Sequence, residues 1–290
     1  MRMQEIVIAD DAAGPYGMTV GPDRALWVTF THSGEIARVD ARGDVEIFDL
    51  GAPAAQPALI TTGPDSALWF TRTQDGRIGR LSLGGRLSEF ALPDPGSGPY
   101  GIAAGPDGAL WFTQLNADRI GRITLDGDVT EFPLPVAKAF PSALTAGPDG
   151  ALWFALNQAN AIGRITTDGE VRIFDLPTPG AAPVGITSDG EAIWFAEIGA
   201  GQIGRITTDG TVDEFPLADR AARPHAVTAA GPGDVYFTEW ATNRIGHIDG
   251  DGTVSGWNLL TPRGEPHGIA VTPDGTVWAA LEIGRVARLS

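Results

Sequence analysis

The sequence predicts an all-β chain, a seven-bladed β-propeller in which the N-terminal strand closes the last blade. Three observations carry this. An aromatic residue recurs at Trp27, Trp69, Trp111, Trp153, Trp194, Tyr236 and Trp278, at spacings of 42, 42, 42, 41, 42 and 42 residues. A proline precedes each by 12 residues, or 11 in the fifth copy. A short alternating phrase then ends the unit, but only six times in the chain.

Within each unit the elements follow in a fixed order. The proline opens an apolar run that ends in a turn such as "GPDGAL". The aromatic lies in a second run, "LWF", and a third reads "IGRI", as at Ile120–Ile123, Ile162–Ile165 and Ile203–Ile206. The fourth is the alternating phrase, as in "VTEFPL". Four β-type runs parted by Gly, Pro, Asp and Asn, in a unit of about 40–45 residues, describe a propeller blade. A helical solenoid of similar period would show a 3.6-residue apolar rhythm, and none is present. The seventh unit ends at "VARLS" without a fourth run, while "QEIVIA" (Gln4–Ala9) at the opposite end resembles one. The two should therefore pair in one sheet and leave no open edge. Residues 1–290 then form one domain, although length alone would suggest two. The repeated Trp and Phe should pack between adjacent sheets.

Composition narrows the function classes. The net charge is -16, with no run of Lys or Arg, so nucleic acid and anionic membrane are poor partners. There is no cysteine, which excludes disulfides, thiolate catalysis and Cys-ligated zinc. No signal-peptide pattern or long apolar run occurs, so the expected location is cytoplasmic, and a propeller of this kind is expected to be a monomer. No Ser–His–Asp order, P-loop or HExxH motif occurs either.

Function should sit where the blades diverge, because their common positions are committed to packing. The residue after each repeat proline is Tyr16, Ala58, Tyr100, Ser142, Val184, His225 and His267, and these should ring one mouth of the channel. A second ring lies four residues past each aromatic: Thr31, Thr73, Leu115, Asn157, Ile198, Trp240 and Glu282. Blades six, seven and one are neighbours in a closed ring, so His225, Trp240, Glu265, His267, Glu282 and Tyr16 should share one sector. If the hairpin of blade seven is centred between Pro273 and Asp274, Glu265 faces Glu282. Like charges in that position are destabilising unless one is protonated or a cation lies between them. A hard divalent cation held by two carboxylates and waters, of which magnesium is the type, meets the second condition. Glu197 and Glu239, taken singly, read as solvated strand-end carboxylates, and His32 and His247 as surface or packing residues.

With these residues in view, the chain resembles the virginiamycin B lyase family along its whole length. The likeness rests on the "GPDGALWFT…IGRIT" repeat and, more specifically, on "PYG" at Pro15–Gly17, "PHA" at Pro224–Ala226, "EW" at Glu239–Trp240, "EPHG" at Glu265–Gly268, and Glu282. It implies a magnesium-dependent carbon–oxygen lyase that linearises the cyclic depsipeptide of streptogramin B antibiotics at its threonyl ester and so confers resistance. It further implies His267 as general base, Glu265 and Glu282 around the magnesium, and Tyr16, His225 and Trp240 lining the substrate site. Two other classes remain open at this point. A metal-dependent propeller lactonase would add water across the ester, and a non-catalytic propeller would bind a ligand on the same face.

Overall fold

The computed structural model describes residues 1–290 as 28 strands in seven four-stranded antiparallel sheets. Six sheets take four consecutive strands each. The seventh is completed by the strand Met3–Val7, which pairs antiparallel with Arg285–Leu289. The expected closure is present, with its ordered core two residues shorter at the C-terminal side than the phrase Gln4–Ala9. Ile8 N and Ala9 N donate to the Gly284 carbonyl instead.

The repeat prolines begin the innermost strands, from Pro15–Val20 in blade one to Pro266–Val271 in blade seven. Proline has no N–H to give a ladder, so the first residue of a strand is where it is tolerated. The second strands are buried end to end, as in Leu26–Phe30 and Leu110–Gln114. Trp27, Trp69, Trp111, Trp153 and Trp194 have no exposed surface. Each lies against the fourth-strand Phe of its own blade, with ring centroids 5.2–5.7 Å apart in all five. Each also packs across to the next blade, as Trp27 does with Leu68 and Phe70.

The glycine of the third strand explains the invariance of "LWF…IGR". Phe112 stands directly opposite Gly121, and a Cβ on Gly121 would come within 2.1 Å of the Phe112 ring. Two blades solve the same packing problem the other way: Ala37 faces Val28, and Ala287 faces Ala279. Where the third-strand residue grows from glycine to alanine, the phenylalanine opposite gives way to a smaller side chain.

Every blade also carries an irregularity that the repeat does not announce. The register between first and second strands shifts just after the opening proline, as between Pro15 and Met18 or Pro266 and Ile269. A bulge re-aims the residues within it, and those residues include the first predicted ring. In four blades a second-strand threonine fixes the bulge. Thr238 Oγ1 accepts from Ala226 N at 3.0 Å and donates to the His267 carbonyl of the next blade at 2.9 Å. Thr29, Thr71 and Thr113 donate in the same way to Ala58, Tyr100 and Ser142.

Candidate active site

The bulge corrects the assumed hairpin. The turn of blade seven is centred on Asp274, since Thr272 N donates to Thr276 O, and Ile269 pairs with Ala279. The bulge then moves the register by one, so Pro266 opposes Leu281. Glu282 N reaches the Gly264 carbonyl at 3.0 Å and the Glu265 carbonyl at 3.4 Å. Glu265 and Glu282 are therefore opposed as expected, but through a different turn and a compensating bulge.

The chain holds Glu265 in place from several sides. Its φ is +48°, a left-handed conformation that costs a non-glycine residue roughly 1 kcal/mol or more. Gly264 N donates to Asn243 Oδ1 at 2.7 Å, and Asn243 Nδ2 donates to the Thr261 carbonyl at 2.9 Å. Leu260 N and Thr261 N donate to Glu5 Oε1 at 2.7 and 3.0 Å. The strand that closes the propeller thus also anchors the loop leading to Glu265.

His267 is 9% exposed, and its Nε2 lies 2.8 Å from Glu282 Oε2. Burial, with His32 nearby, lowers its pKa to about 4, so the ring is neutral. His225 is lowered further, to about 3, by burial and by His267. The rings interlock: Tyr16 lies on His267 with centroids 4.6 Å apart, and His225 meets His267 edge-on at 5.0 Å. Tyr16 Oη bonds Tyr100 Oη at 2.6 Å and approaches His225 Nε2 at 3.5 Å. Burial and then Tyr100 raise the Tyr16 pKa well above its ordinary value, so the hydroxyl keeps its proton.

A cleft of about 360 Å³ opens over these residues, lined by Ile198, Arg223, His225, Trp240, Glu265, His267 and Glu282. Five of the six residues named from the sequence meet there. Tyr16 does not line it but stacks against His267, supporting the ring from the channel side. Beneath lies a second space of about 130 Å³ lined largely by apolar side chains, among them Met18, Leu59, Ile102 and Val184.

Burial raises the Glu265 pKa, and the hydrogen-bonding neighbour Glu282 raises it further. Two carboxyl groups in mutual contact require a shared proton or a cation, and the donor set is all oxygen. That fits a hard divalent ion, although no group of three or more acidic or imidazole ligands converges, so water would complete its shell.

Two participants escaped the sequence reading. His32, expected at the surface, places Nε2 3.6 Å from Glu282 Oε1. The available signal was its position beside the ring residue Thr31, in the blade adjoining blade seven. Arg223 lies with its guanidinium carbon 5.7 Å from the Trp240 ring centroid, a cation–π contact on the cleft wall. It precedes Pro224 as Glu265 precedes Pro266, which was the missed cue. Glu197 and Glu239 are not solvated as expected: they are 0% and 4% exposed. Gln202 Nε2 donates to Glu197 at 2.6 Å, and Thr242 Oγ1 donates to Glu239 at 2.6 Å. His247 plays the packing part foreseen, bonding Asp234 at 2.7 Å.

The pattern of the Virginiamycin B lyase family matches residues 1–289. The chain belongs to that family. A solved streptogramin B lyase is 43% identical over 100% of this chain and 97% of its own, with a TM-score of 0.96. Virginiamycin B lyase from Staphylococcus aureus is 41% identical over 99% of this chain and 98% of that one, with a TM-score of 0.95. A catalytically inactive His-to-Ala variant of the S. aureus protein, solved with quinupristin, is 40% identical with a TM-score of 0.94. Alignment with the curated virginiamycin B lyase of Saccharopolyspora erythraea is 55% identical over 52 residues, spanning only 17% of that protein.

Proposed function

We propose that this member of the family is a streptogramin B lyase that opens the antibiotic ring by elimination at the threonyl ester, with His267 as base. The observation that carries the reading is the cleft itself: a buried, neutral histidine, two opposed carboxylates and Trp240 in the one sector where the repeats diverge.

The chemistry needs no nucleophile. The Cα–H bond of the esterified threonine breaks and its proton passes to a neutral imidazole. A Cα=Cβ bond forms, the Cβ–O bond breaks, and the carboxylate departs with that electron pair. Nε2 is the His267 nitrogen on the cleft wall, while Nδ1 is buried without a partner; for Nε2 to take the substrate proton, Glu282 must first release the 2.8 Å contact, as it would on turning to a bound cation. At neutral pH the His267 ring is unprotonated and so free to accept a proton, and positioned general bases contribute roughly 10²–10⁴-fold. Tyr16 and His225 hold the ring from below and beside it. Trp240, backed by Arg223, offers an aromatic wall to an apolar macrocycle.

Glu265 and Glu282 are the residues that would hold Mg²⁺, and His32 adds a neighbour to Glu282 on the solvent side. When bound, the ion supplies polarisation of a substrate oxygen and stabilisation of developing negative charge. The S. aureus protein's dependence on a histidine, and its solution with quinupristin, support the same role and substrate class here.

The test is mass spectrometry of quinupristin incubated with the protein in water enriched in heavy oxygen. Elimination predicts a ring-opened product of unchanged mass carrying a dehydroamino acid and no label. His267→Ala should lower turnover by about 10²-fold or more, and EDTA should abolish it until magnesium is returned. A product one labelled water heavier would make the protein a hydrolase and overturn the mechanism.

A further inference from the structure

On the face opposite the cleft, four blades share one device. The Asp of the "GPD" turn accepts from the blade's Trp indole and from the Arg of the third strand. Asp23 takes Trp27 Nε1 at 3.1 Å and Arg38 Nε at 2.6 Å. Asp65, Asp107 and Asp149 take Trp69 and Arg80, Trp111 and Arg122, and Trp153 and Arg164, at 3.0 Å for each indole and 2.6 Å for each Arg Nε.

Blade seven keeps every part of this device but does not assemble it. Asp274 stands four residues before Trp278, as Asp23 does before Trp27, and Arg288 pairs across from Trp278. Yet Trp278 Nε1 and Arg288 Nε are both buried without a hydrogen-bond partner. The cause is one residue. Thr272 occupies the place of Gly21, Gly63, Gly105 and Gly147. A Cβ on Gly21 would lie 2.4 Å from Trp27 Nε1 and 2.6 Å from Asp23 Oδ1, so a side chain there is incompatible with the clamp. In blade seven Thr272 Oγ1 holds Asp274 Oδ1 instead, at 2.7 Å.

The result is two donors without their carboxylate, the Trp278 side chain being 4% exposed, at a cleft of about 240 Å³. Its walls are Leu26, Val39, Ala41 and Pro273, with Arg24 on the rim. The two acids beside it are already engaged: Asp40 by Arg42 and by the Asp44 backbone, Asp274 by Thr272 and Thr276. An unpaired buried donor costs free energy, and an ionised acceptor placed on it forms the stronger class of hydrogen bond.

We propose that this cleft binds a small organic carboxylate beside Trp278 and Arg288, the place of the repeat aspartate itself being closed by the Thr272 Cβ. The Arg288 guanidinium and the Trp278 indole, whose donor atoms are buried at the cleft wall, swing toward the cleft to hold its charged end. The apolar walls receive a body of a few carbons, and Arg24 complements the charge from outside. The site lies away from the catalytic face and does not depend on the proposed reaction.

Benzoate is the probe, followed on the indole N–H signals of ¹⁵N-labelled protein, with Trp278→Phe identifying the relevant peak. The expected result is a saturable shift of that one peak with a Kd on the order of 1 mM. Benzamide, which has the same shape without the charge, and chloride at equal ionic strength should leave the peak in place. Thr272→Gly should abolish the shift by letting Asp274 return to Trp278 and Arg288, and should leave quinupristin turnover unchanged. Arg288→Met should abolish the shift without that rescue. A motionless peak in the native protein would overturn the proposal. So would equal shifts with benzoate and chloride, or a benzoate shift that persists in Thr272→Gly.

Discussion

Glu197→Gln is expected to stabilise this protein at neutral and alkaline pH and to leave it nearly unchanged in acid. Glu197 has no exposed surface; Gln202 donates to one of its oxygens at 2.6 Å, and the other is buried without a partner. Burial raises its pKa from 4.5 to about 7; the bond from Gln202 opposes the rise, and Glu214 adds to it. The folded protein thus holds this proton more tightly than the unfolded chain does. Below about pH 4.5 both states are protonated and the site costs nothing. As pH rises from there to 7, the unfolded chain ionises first and stability falls by about 1.4 kcal/mol per unit, levelling near 3 kcal/mol above pH 7. Glutamine keeps the shape, retains an oxygen for Gln202 and never ionises, so the variant should lack this loss. Melting temperature from pH 4.5 to 8.5 is the assay. For a chain of this size, the difference between the two proteins should open by several degrees across that range. Parallel pH profiles, or a variant less stable than the native protein at pH 8, would refute the reasoning.

Other perturbations test the supports of the catalytic face. Thr238→Val should strand Ala226 N and free the His267 carbonyl, at a cost of about 1–3 kcal/mol. Because it touches no substrate, its turnover should fall with little change in KM; an unaltered kcat would show the bulge to be fixed without it. Glu5→Ala removes the acceptor for Leu260 N and Thr261 N, far in sequence from the cleft but bound to the loop before Glu265. Melting temperature should drop, and the magnesium concentration giving half-maximal activity should rise. A loss of stability without the second effect would separate propeller closure from the proposed magnesium site.

The periodicity alone determined the architecture. Spacings of about 42 residues set the blade count, and the missing seventh copy of the fourth run foretold the closure by Met3–Val7. Such features are legible because each is a local pattern repeated until chance is excluded. The candidate site was legible for the same reason in reverse: Tyr16, His225, Trp240, Glu265, His267 and Glu282 lie in three adjoining blades at positions where the repeat diverges. Tertiary structure decided what depends on through-space proximity and on side-chain volume. The bulge that returns Glu265 to Glu282 leaves no mark in the repeat, and His32 reaches Glu282 only because blades one and seven meet at the closure. Glu197 and Glu239 look like surface carboxylates in the chain, yet adjacent sheets close over them. Thr272 is the same lesson on the other face: one Cβ in place of a hydrogen unmakes a clamp whose every partner is still present in the sequence.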